Sequence, residues 1–142
     1  MNLVKRLFIV FGLCFGLSLP ALAVDAPMEI PGAKTVDAKQ VVDLIGKESK
    51  LIVVDARIPE EYKEAAIEGA VNLVNTEVTA ETMAKMVPTK ITPVLIYCNG
   101  LKCGRAADAV HKALSFGYTN VYYYALGMTE WKEKGMPLVK HE

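Results

Sequence analysis

Short apolar runs separated by helical patterns are the feature that most limits the folds open to this chain. Residues 51–54 read L-I-V-V and residues 94–97 read V-L-I-Y, so both runs are apolar at successive positions. Strands that are buried on both faces belong to parallel sheets covered by helices on each side. The sequence therefore predicts an α/β fold rather than an all-helical or an all-β one.

The remaining elements alternate in the same way along the chain. Strands are predicted at residues 51–54, 71–74, 94–97 and 121–124. Helices are predicted from an N-cap at Asp37 to Gly46, over 59–64, after an N-cap at Thr79, over 105–115 and over 129–134. We expect a three-layer sandwich in which a central parallel sheet of about four to five strands carries helices on both faces.

The first 23 residues have the pattern of a secretory signal peptide. Lys5 and Arg6 precede an almost unbroken apolar run, and Ala21-Leu22-Ala23 forms a small-x-small cleavage site. The apolar run is shorter than the roughly 20 residues that a spanning helix needs, and Pro20 follows it. We therefore expect cleavage after Ala23 and a periplasmic or otherwise exported protein.

Three segments follow from this cleavage: a signal peptide at 1–23, a flexible lead-in at 24–33 that contains two prolines, and one domain at 34–142. The whole chain has 16 basic and 16 acidic residues, and removal of Lys5 and Arg6 leaves a net charge of about −2. Neither a basic stripe nor a polybasic run is present. We therefore expect no nucleic-acid partner, and contact with a membrane only during export.

Residues 97–105, Y-C-N-G-L-K-C-G-R, join a predicted strand to a predicted helix. Asp55 and Arg57 follow the other strongly apolar strand. Ligands of parallel sheets bind at the carboxyl ends of the strands, so we expect both polar clusters to share one rim. The sequence therefore places the candidate site there.

Cys98 is the first residue beyond its strand, and we expect its side chain to project from the sheet edge rather than into the core. Gly100 and Gly104 permit the positive-φ conformations that turn backbone N–H groups inward. The start of the following helix and the cations Lys102 and Arg105 favour a thiolate, as in settings that lower a cysteine pKa from about 8.5. The alternative is an unreactive cysteine packed at a strand end.

Three segments in the correct order resemble the signatures of the rhodanese family of sulfurtransferases. V-V-D-A-R-I-P-E-E-Y-K-E-A-A-I-E-G-A-V-N-L at 53–73 is similar to the first signature, and L-G-M-T-E-W-K-E-K-G-M-P-L at 126–138 is similar to the closing one. The Cys98 loop lies between them. The resemblance implies that Cys98 is the catalytic nucleophile, which takes sulfane sulfur from a donor such as thiosulfate and carries it as a persulfide.

The resemblance also implies that the loop holds this persulfide, through Asn99, Gly100, Leu101, Lys102, Cys103, Gly104 and Arg105. This loop departs from the family pattern, because six residues separate Cys98 from Arg105 where the family usually has four. Cys103 occupies the place of the usual arginine, so Lys102 and Arg105 are both candidates for the cation that faces the substrate.

Cys103 permits a second mechanism. A Cys103 thiolate close to a Cys98 persulfide would displace the outer sulfur and close a Cys98–Cys103 disulfide, which needs Cα atoms within about 7 Å. Its alternative role is to pack the loop against the sheet. We expect no metal and no cofactor, because C-x4-C lacks a second ligand pair and both histidines, His111 and His141, lie far along the chain.

Asp55 and Arg57 are expected to support the site from behind the loop. Asp55 is predicted to pair with a loop cation or with Arg57 and so hold the loop in place. Arg57 is either a contact for an anionic donor or part of a structural ion pair. The sequence does not choose between these two roles.

The main functional prediction is a thiosulfate sulfurtransferase with a small sulfur-containing anion as donor and a thiol or cyanide as acceptor. One alternative is a thiol–disulfide redox protein that uses Cys98 and Cys103, with a redox protein as its partner. Another is a sulfur-carrier or anion-binding module without turnover on small acceptors. The sequence leaves the physiological donor and acceptor, the redox state of the cysteine pair and the oligomeric state open.

Overall fold

A computed structural model describes residues 24–142, and the predicted signal peptide at 1–23 lies outside these residues. The described chain forms five strands, five α-helices and a single 3-10 turn at Asn75–Glu77. The strands are β1 (Lys34–Thr35), β2 (Ile52–Asp55), β3 (Val71–Asn72), β4 (Val94–Tyr97) and β5 (Val121–Tyr124). The helices are α1 (Ala38–Lys47), α2 (Pro59–Glu64), α3 (Ala80–Met86), α4 (Arg105–Ser115) and α5 (Gly127–Glu133).

The five strands form one parallel sheet in the order β1-β5-β4-β2-β3. The two apolar strands of the sequence are neighbours, with Asp55 opposite Tyr97 in the register. The carboxyl ends of β2 and β4 therefore lie side by side, which confirms the expectation that their polar extensions share one rim. The short edge strand β1 was not predicted, because two residues carry no periodicity.

Each face of the sheet carries its own apolar core, as a three-layer sandwich requires. On one face, Ile96 and Tyr123 pack with α3 and α4, including Met83 and Val110. On the other face, Leu95, Tyr97 and Tyr124 pack with Val41 of α1 and with Trp131 of α5. Successive strand residues thus alternate between the two cores. The predicted α/β class with helices on both faces is confirmed.

The helix boundaries follow local signals that were readable in the sequence. The side chains of Asp37 and Gln40 form a reciprocal capping box at the start of α1. Thr79 caps α3 through the backbone N–H of Thr82, and Pro59 occupies the first turn of α2. None of the described helices is long and apolar enough to cross a membrane.

The lead-in at 24–33 differs from the sequence-based expectation of a flexible segment. Ile30 is 2% exposed and belongs to the same core as α4. The backbone N–H of Ala26 donates to the carbonyl of Leu101 at 2.7 Å, and the Tyr123 hydroxyl donates to the carbonyl of Pro27 at 2.9 Å. The segment packs on the domain because its apolar side chains cover a face of the sheet next to the cysteine loop.

Candidate active site

Two cysteines lie in the loop between β4 and α4, and their sulfur atoms are bonded. Cys98 directly follows β4, Cys103 lies two residues before the first residue of α4, and their Cα atoms are 6.4 Å apart. This separation lies within the limit of about 7 Å between Cα atoms that a disulfide requires. In this state neither sulfur is a free thiol, so reduction must precede any nucleophilic chemistry at Cys98.

The two sulfur atoms have different surroundings. Cys98 is 1% exposed and packs in the core that contains Ala106 and Ile96. The expectation that its side chain projects clear of the core is therefore wrong for the disulfide-bonded state. Cys103 is partly exposed and lines a surface cleft of about 890 Å³. A reagent that enters by the cleft consequently meets Cys103 first.

The backbone of the loop offers several hydrogen-bond donors. Within residues 24–142, the N–H groups of Gly104, Arg105, Ala106 and Ala107 have no protein acceptor, and Gly104 caps α4 without a side-chain hydrogen bond. These donors lie at the positive end of the α4 dipole. These donors are available to an anion. Of the two loop glycines that were expected to permit positive φ, Gly100 adopts it, at +154°, whereas Gly104 has φ −78°.

The start of α5 holds the first residues of the loop. The N–H of Met128 donates to the carbonyl of Cys98 at 3.0 Å, and Thr129 donates to the carbonyl of Asn99 from its N–H and its hydroxyl, both at 2.8 Å. Gly127 has φ +51°, and a Cβ there would overlap the Cys98 carbonyl. The closing signature therefore contributes to the site through its backbone, a role that the sequence analysis missed.

Asp55 and Arg57 form a buried ion pair beneath the loop. The Arg57 Nη2 donates to Asp55 Oδ2 at 2.6 Å, and their side chains are 3% and 0% exposed. The Tyr97 hydroxyl donates to the same oxygen at 2.8 Å. Of the two roles open to Arg57, this geometry favours the structural ion pair.

Contact with Asp55 keeps Arg57 and Tyr97 in their ordinary protonation states. Burial acts to lower the pKa of Arg57, but the hydrogen bonds and negative charge of Asp55 more than offset it, and the pKa is raised. Burial and the Asp55 charge raise the pKa of Tyr97 well above its ordinary value. Arg57 therefore remains a cation, and Tyr97 remains a neutral hydrogen-bond donor.

Glu61 links this buried pair to the cysteine loop. Its Oε1 accepts from Asn99 Nδ2 at 2.7 Å, and the Oδ1 of Asn99 lies 3.5 Å from Arg57 Nη1. The Oε2 of Glu61 lies 3.6 Å from Arg105 Nη1. Glu61 belongs to the first signature segment, but its distance from the loop in sequence gave no sign that it contacts Arg105.

The two candidate cations occupy different positions. Arg105 Nη1 lies 3.7 Å from the sulfur of Cys103. Lys102 is turned to solvent, where its Nζ contacts Asp25 Oδ1 at 2.6 Å with its side chain 87% exposed. Arg105 is therefore the cation that adjoins the disulfide, and Lys102 ties the loop to the lead-in.

The cleft brings the predicted loop residues together with part of α5. Residues 99–105 form one wall, and Leu126, Thr129, Glu130, Glu133 and Lys134 form the other. Within the described residues, no group of three or more histidine, cysteine, aspartate or glutamate side chains is arranged to hold a metal ion. Three cations and two carboxylates line the cleft, and Lys134 pairs with Glu130 at 3.0 Å.

Comparison with known proteins agrees with the resemblance seen in the sequence. Residues 37–134 match the family model of the rhodanese-like domain. Over 88 residues the chain is 38% identical to thiosulfate sulfurtransferase PspE of Escherichia coli (strain K12), covering 61% of this chain and 77% of that protein.

Solved structures share the same architecture. The BH2092 protein from Bacillus halodurans is 25% identical with a TM-score of 0.67, over 76% of this chain and 77% of that chain. A structure described as rhodanese with anions from E. coli is 35% identical with a TM-score of 0.52, over 63% of this chain and 98% of that one.

Proposed function

This chain belongs to the rhodanese-like domain family, and we propose that it is a sulfurtransferase that carries sulfane sulfur as a persulfide on Cys98. The observation that carries the proposal is the position of Cys98 at the carboxyl end of β4, followed by a loop whose unpaired N–H groups lie at the start of α4. The similarity to a thiosulfate sulfurtransferase supports thiosulfate as the donor.

The reaction begins from the reduced protein. The Cys98 thiolate attacks the outer sulfur of thiosulfate, a new S–S bond forms, the S–S bond of thiosulfate breaks and sulfite leaves. A thiol or cyanide then attacks the outer sulfur of the persulfide and takes it, which returns the Cys98 thiolate. The two half-reactions predict ping-pong kinetics.

The loop supplies the electrostatic support for this chemistry. N–H groups at a helix start stabilise negative charge, and an adjacent guanidinium adds to this effect. Arg105, which lines the cleft beside Cys103, is the cation that we assign to the anionic donor. Asn99 is positioned by Glu61 and by α5, so the loop is held from both sides.

Sulfur loading of defined variants tests this proposal. The protein is reduced with a dithiol, freed of it, and incubated with thiosulfate, while released sulfite is measured and the added sulfur is located by peptide mass spectrometry. Wild type and Cys103→Ser are expected to release sulfite, and Cys98→Ser is expected to release none. Protein that has not been reduced is expected to take up no sulfur.

A second candidate function is favoured by the Cys98–Cys103 bond itself. A thiol–disulfide redox protein would exchange electrons with dithiols and take no sulfur from thiosulfate. Sulfite release by the reduced wild type would exclude it as the sole activity. A stable Cys98 persulfide without transfer to cyanide or small thiols would instead indicate a sulfur carrier.

We also propose that residues 1–23 act as an export signal, on the pattern of charge, apolar run and small-residue site. Intact-mass measurement of the protein from the periplasmic fraction of a bacterial host is expected to give a chain that begins at Val24. Recovery of the uncleaved chain in the membrane fraction would contradict this.

A further inference from the structure

We propose that Cys103 is a resolving cysteine that discharges the Cys98 persulfide and releases its outer sulfur as sulfide. The inference rests on the proposed function and adds a product that simple sulfur transfer does not give. It is carried by three observations: the bonded sulfur atoms, their unequal exposure, and the guanidinium beside Cys103.

The step balances in atoms and electrons. The Cys103 thiolate attacks Sγ of Cys98, a bond forms between the two cysteine sulfur atoms, and the bond from Cys98 to the outer sulfur breaks. The outer sulfur leaves with the electron pair as hydrosulfide. Two cysteines are oxidised to a disulfide and one sulfane sulfur is reduced to sulfide, so the persulfide itself is the oxidant.

The loop geometry brings the two sulfur atoms into range for this attack. The N–H of Cys103 donates to the carbonyl of Gly100 at 2.9 Å, which closes a turn over residues 100–103. The Cα atoms of the two cysteines are then 6.4 Å apart. An intramolecular thiolate held at this distance competes well with thiols from solution, because its effective concentration is very high.

Arg105 lies where it can assist both the formation and the reduction of the Cys98–Cys103 disulfide. Its Nη1 lies 3.7 Å from Sγ of Cys103 and 3.6 Å from Glu61 Oε2. The ion pair with Glu61 holds the guanidinium at the Cys103 side of the loop. A cation there favours the Cys103 thiolate as an attacking group, and again as the leaving group when the second thiol of a dithiol reductant resolves the mixed disulfide on Cys103.

Reopening of the disulfide requires a dithiol reductant, and the structure indicates where it attacks. Cys98 is 1% exposed, whereas Cys103 lines the cleft. One reductant thiolate attacks Sγ of Cys103 and releases the Cys98 thiolate. The second thiol of the reductant then attacks the reductant's own sulfur in the mixed disulfide and releases the Cys103 thiolate. The reductant leaves as a disulfide, having lost two electrons.

The decisive experiment is a single-turnover release of sulfide. Reduced wild type, Cys103→Ser and Cys98→Ser are each freed of reductant and charged with thiosulfate or, separately, with inorganic polysulfide. Sulfide is measured over time, and the cysteines are mapped by mass spectrometry. Wild type is expected to release about one sulfide per chain and to form the disulfide at least ~100-fold faster than Cys103→Ser releases sulfide. Cys103→Ser is expected to keep the persulfide on Cys98.

The outcomes separate this inference from the proposed function. Charging by polysulfide but not by thiosulfate, followed by sulfide release from wild type alone, would contradict thiosulfate as donor and support the resolving role. Persulfide that lasts equally long in wild type and Cys103→Ser would overturn the resolving role and leave the sulfurtransferase standing. Cys103→Ser that accepts no sulfur from either donor would contradict both.

The contribution of Arg105 is tested in the same single-turnover assay at saturating inorganic polysulfide, so that donor binding does not limit the rate. Arg105→Gln is expected to slow sulfide release by about tenfold at neutral pH and to move the rise of the rate to higher pH, since fewer Cys103 thiols are ionised. Arg105→Lys is expected to restore most of the rate. Lys85→Gln, which breaks a surface pair on α3, serves as the control, and an unchanged pH profile in Arg105→Gln would refute the role.

Discussion

At the scale of single residues, Asp55 organises the buried hydrogen-bond network beneath the cysteine loop. Its carboxylate accepts from the Nε and Nη2 of Arg57 and from the hydroxyl of Tyr97, and it is fully buried. A buried pair of this kind adds little net stability, but removal of one partner leaves an uncompensated charge. The pair therefore fixes the relative position of Asp55 and Arg57 beneath the loop. Arg57 already donates hydrogen bonds to Asp55 and to the carbonyl of Ala65.

Tyr97→Phe tests the value of this network. The substitution removes the donor to Asp55 and also the acceptor of the Ile67 N–H at 3.2 Å, so two buried polar groups lose a partner. We expect the free energy of unfolding in urea to fall by about 1–3 kcal/mol. Tyr122→Phe is the matched control on the neighbouring strand, and it is expected to change stability by less than ~0.5 kcal/mol. Equal effects of the two variants would contradict the assignment.

At the scale of secondary-structure elements, α5 acts as a clamp on the cysteine loop. Its first turn accepts no side chain at Gly127, because the backbone of Cys98 lies where a Cβ would be. Hydrogen bonds from Met128 and Thr129 then fix the carbonyls of Cys98 and Asn99. The closing signature of the sequence thus orients the loop that carries Cys98, the proposed nucleophile.

Gly127→Ala is expected to damage both stability and sulfur uptake. The new methyl group displaces the Cys98 backbone, and alanine at φ +51° adds a conformational cost of about 1–2 kcal/mol. We expect a loss of at least ~2 kcal/mol in unfolding free energy and a slower release of sulfite in thiosulfate loading. Gly46→Ala in α1, where a Cβ meets nothing within 4 Å, is the control and is expected to raise stability by up to ~1 kcal/mol. A wild-type loading rate in Gly127→Ala would contradict the clamp.

A second junction between elements gives a prediction in pH. Asp108 of α4 accepts from Asn75 Nδ2 at 2.7 Å and from Lys112 Nζ at 2.8 Å. Burial acts to raise the pKa of Asp108, but these partners outweigh it and lower the pKa below its ordinary value of 3.8. Because the native pKa is the lower one, the stabilisation is present above the ordinary value and is lost as the pH falls through the native value.

Urea unfolding of Asp108→Asn against pH measures this contribution. At neutral pH the variant is expected to be less stable by under ~1 kcal/mol, since the side chain is 43% exposed and solvent screens the pair. The difference is expected to shrink once the pH is well below 3.8. Glu81→Gln, in a far more exposed pair on α3, is the control and is expected to change stability at neutral pH by less than ~0.5 kcal/mol. A constant difference across the range would refute the linkage.

At the scale of the whole molecule, the segment before β1 completes the domain. It inserts Ile30 into the core with α4 and contacts the cysteine loop through Ala26 and through the Asp25–Lys102 pair. Ile30→Ala is expected to lower the unfolding free energy by about 2–5 kcal/mol, because it leaves a cavity in a packed core. Met28→Ala, at a position 46% exposed, is expected to change it by less than ~0.5 kcal/mol. Similar small effects would mean that the segment contributes no core packing.

Most of the architecture was predictable because it depends on neighbouring residues. The alternation of apolar strands and capped helices identified the parallel sheet, and the bounds of β4, α2 and α4 agree with the predicted ranges. The position of Cys98 after β4 and the rim shared with Asp55 followed from the same alternation. Strand β1 escaped prediction, since two residues acquire their hydrogen bonds only from β5.

The sequence by itself determined the fold class and the position of the cysteine loop beside Asp55 at one rim of the sheet, because local periodicity and motif order depend on short stretches of chain. Only the tertiary structure decided that Cys98 is covered while Cys103 meets the cleft, that Arg105 rather than Lys102 adjoins the sulfur, and that Glu61 joins the two. These features depend on contacts between segments far apart in the chain. Such contacts follow from how the two faces of the sheet are filled, which no local pattern specifies.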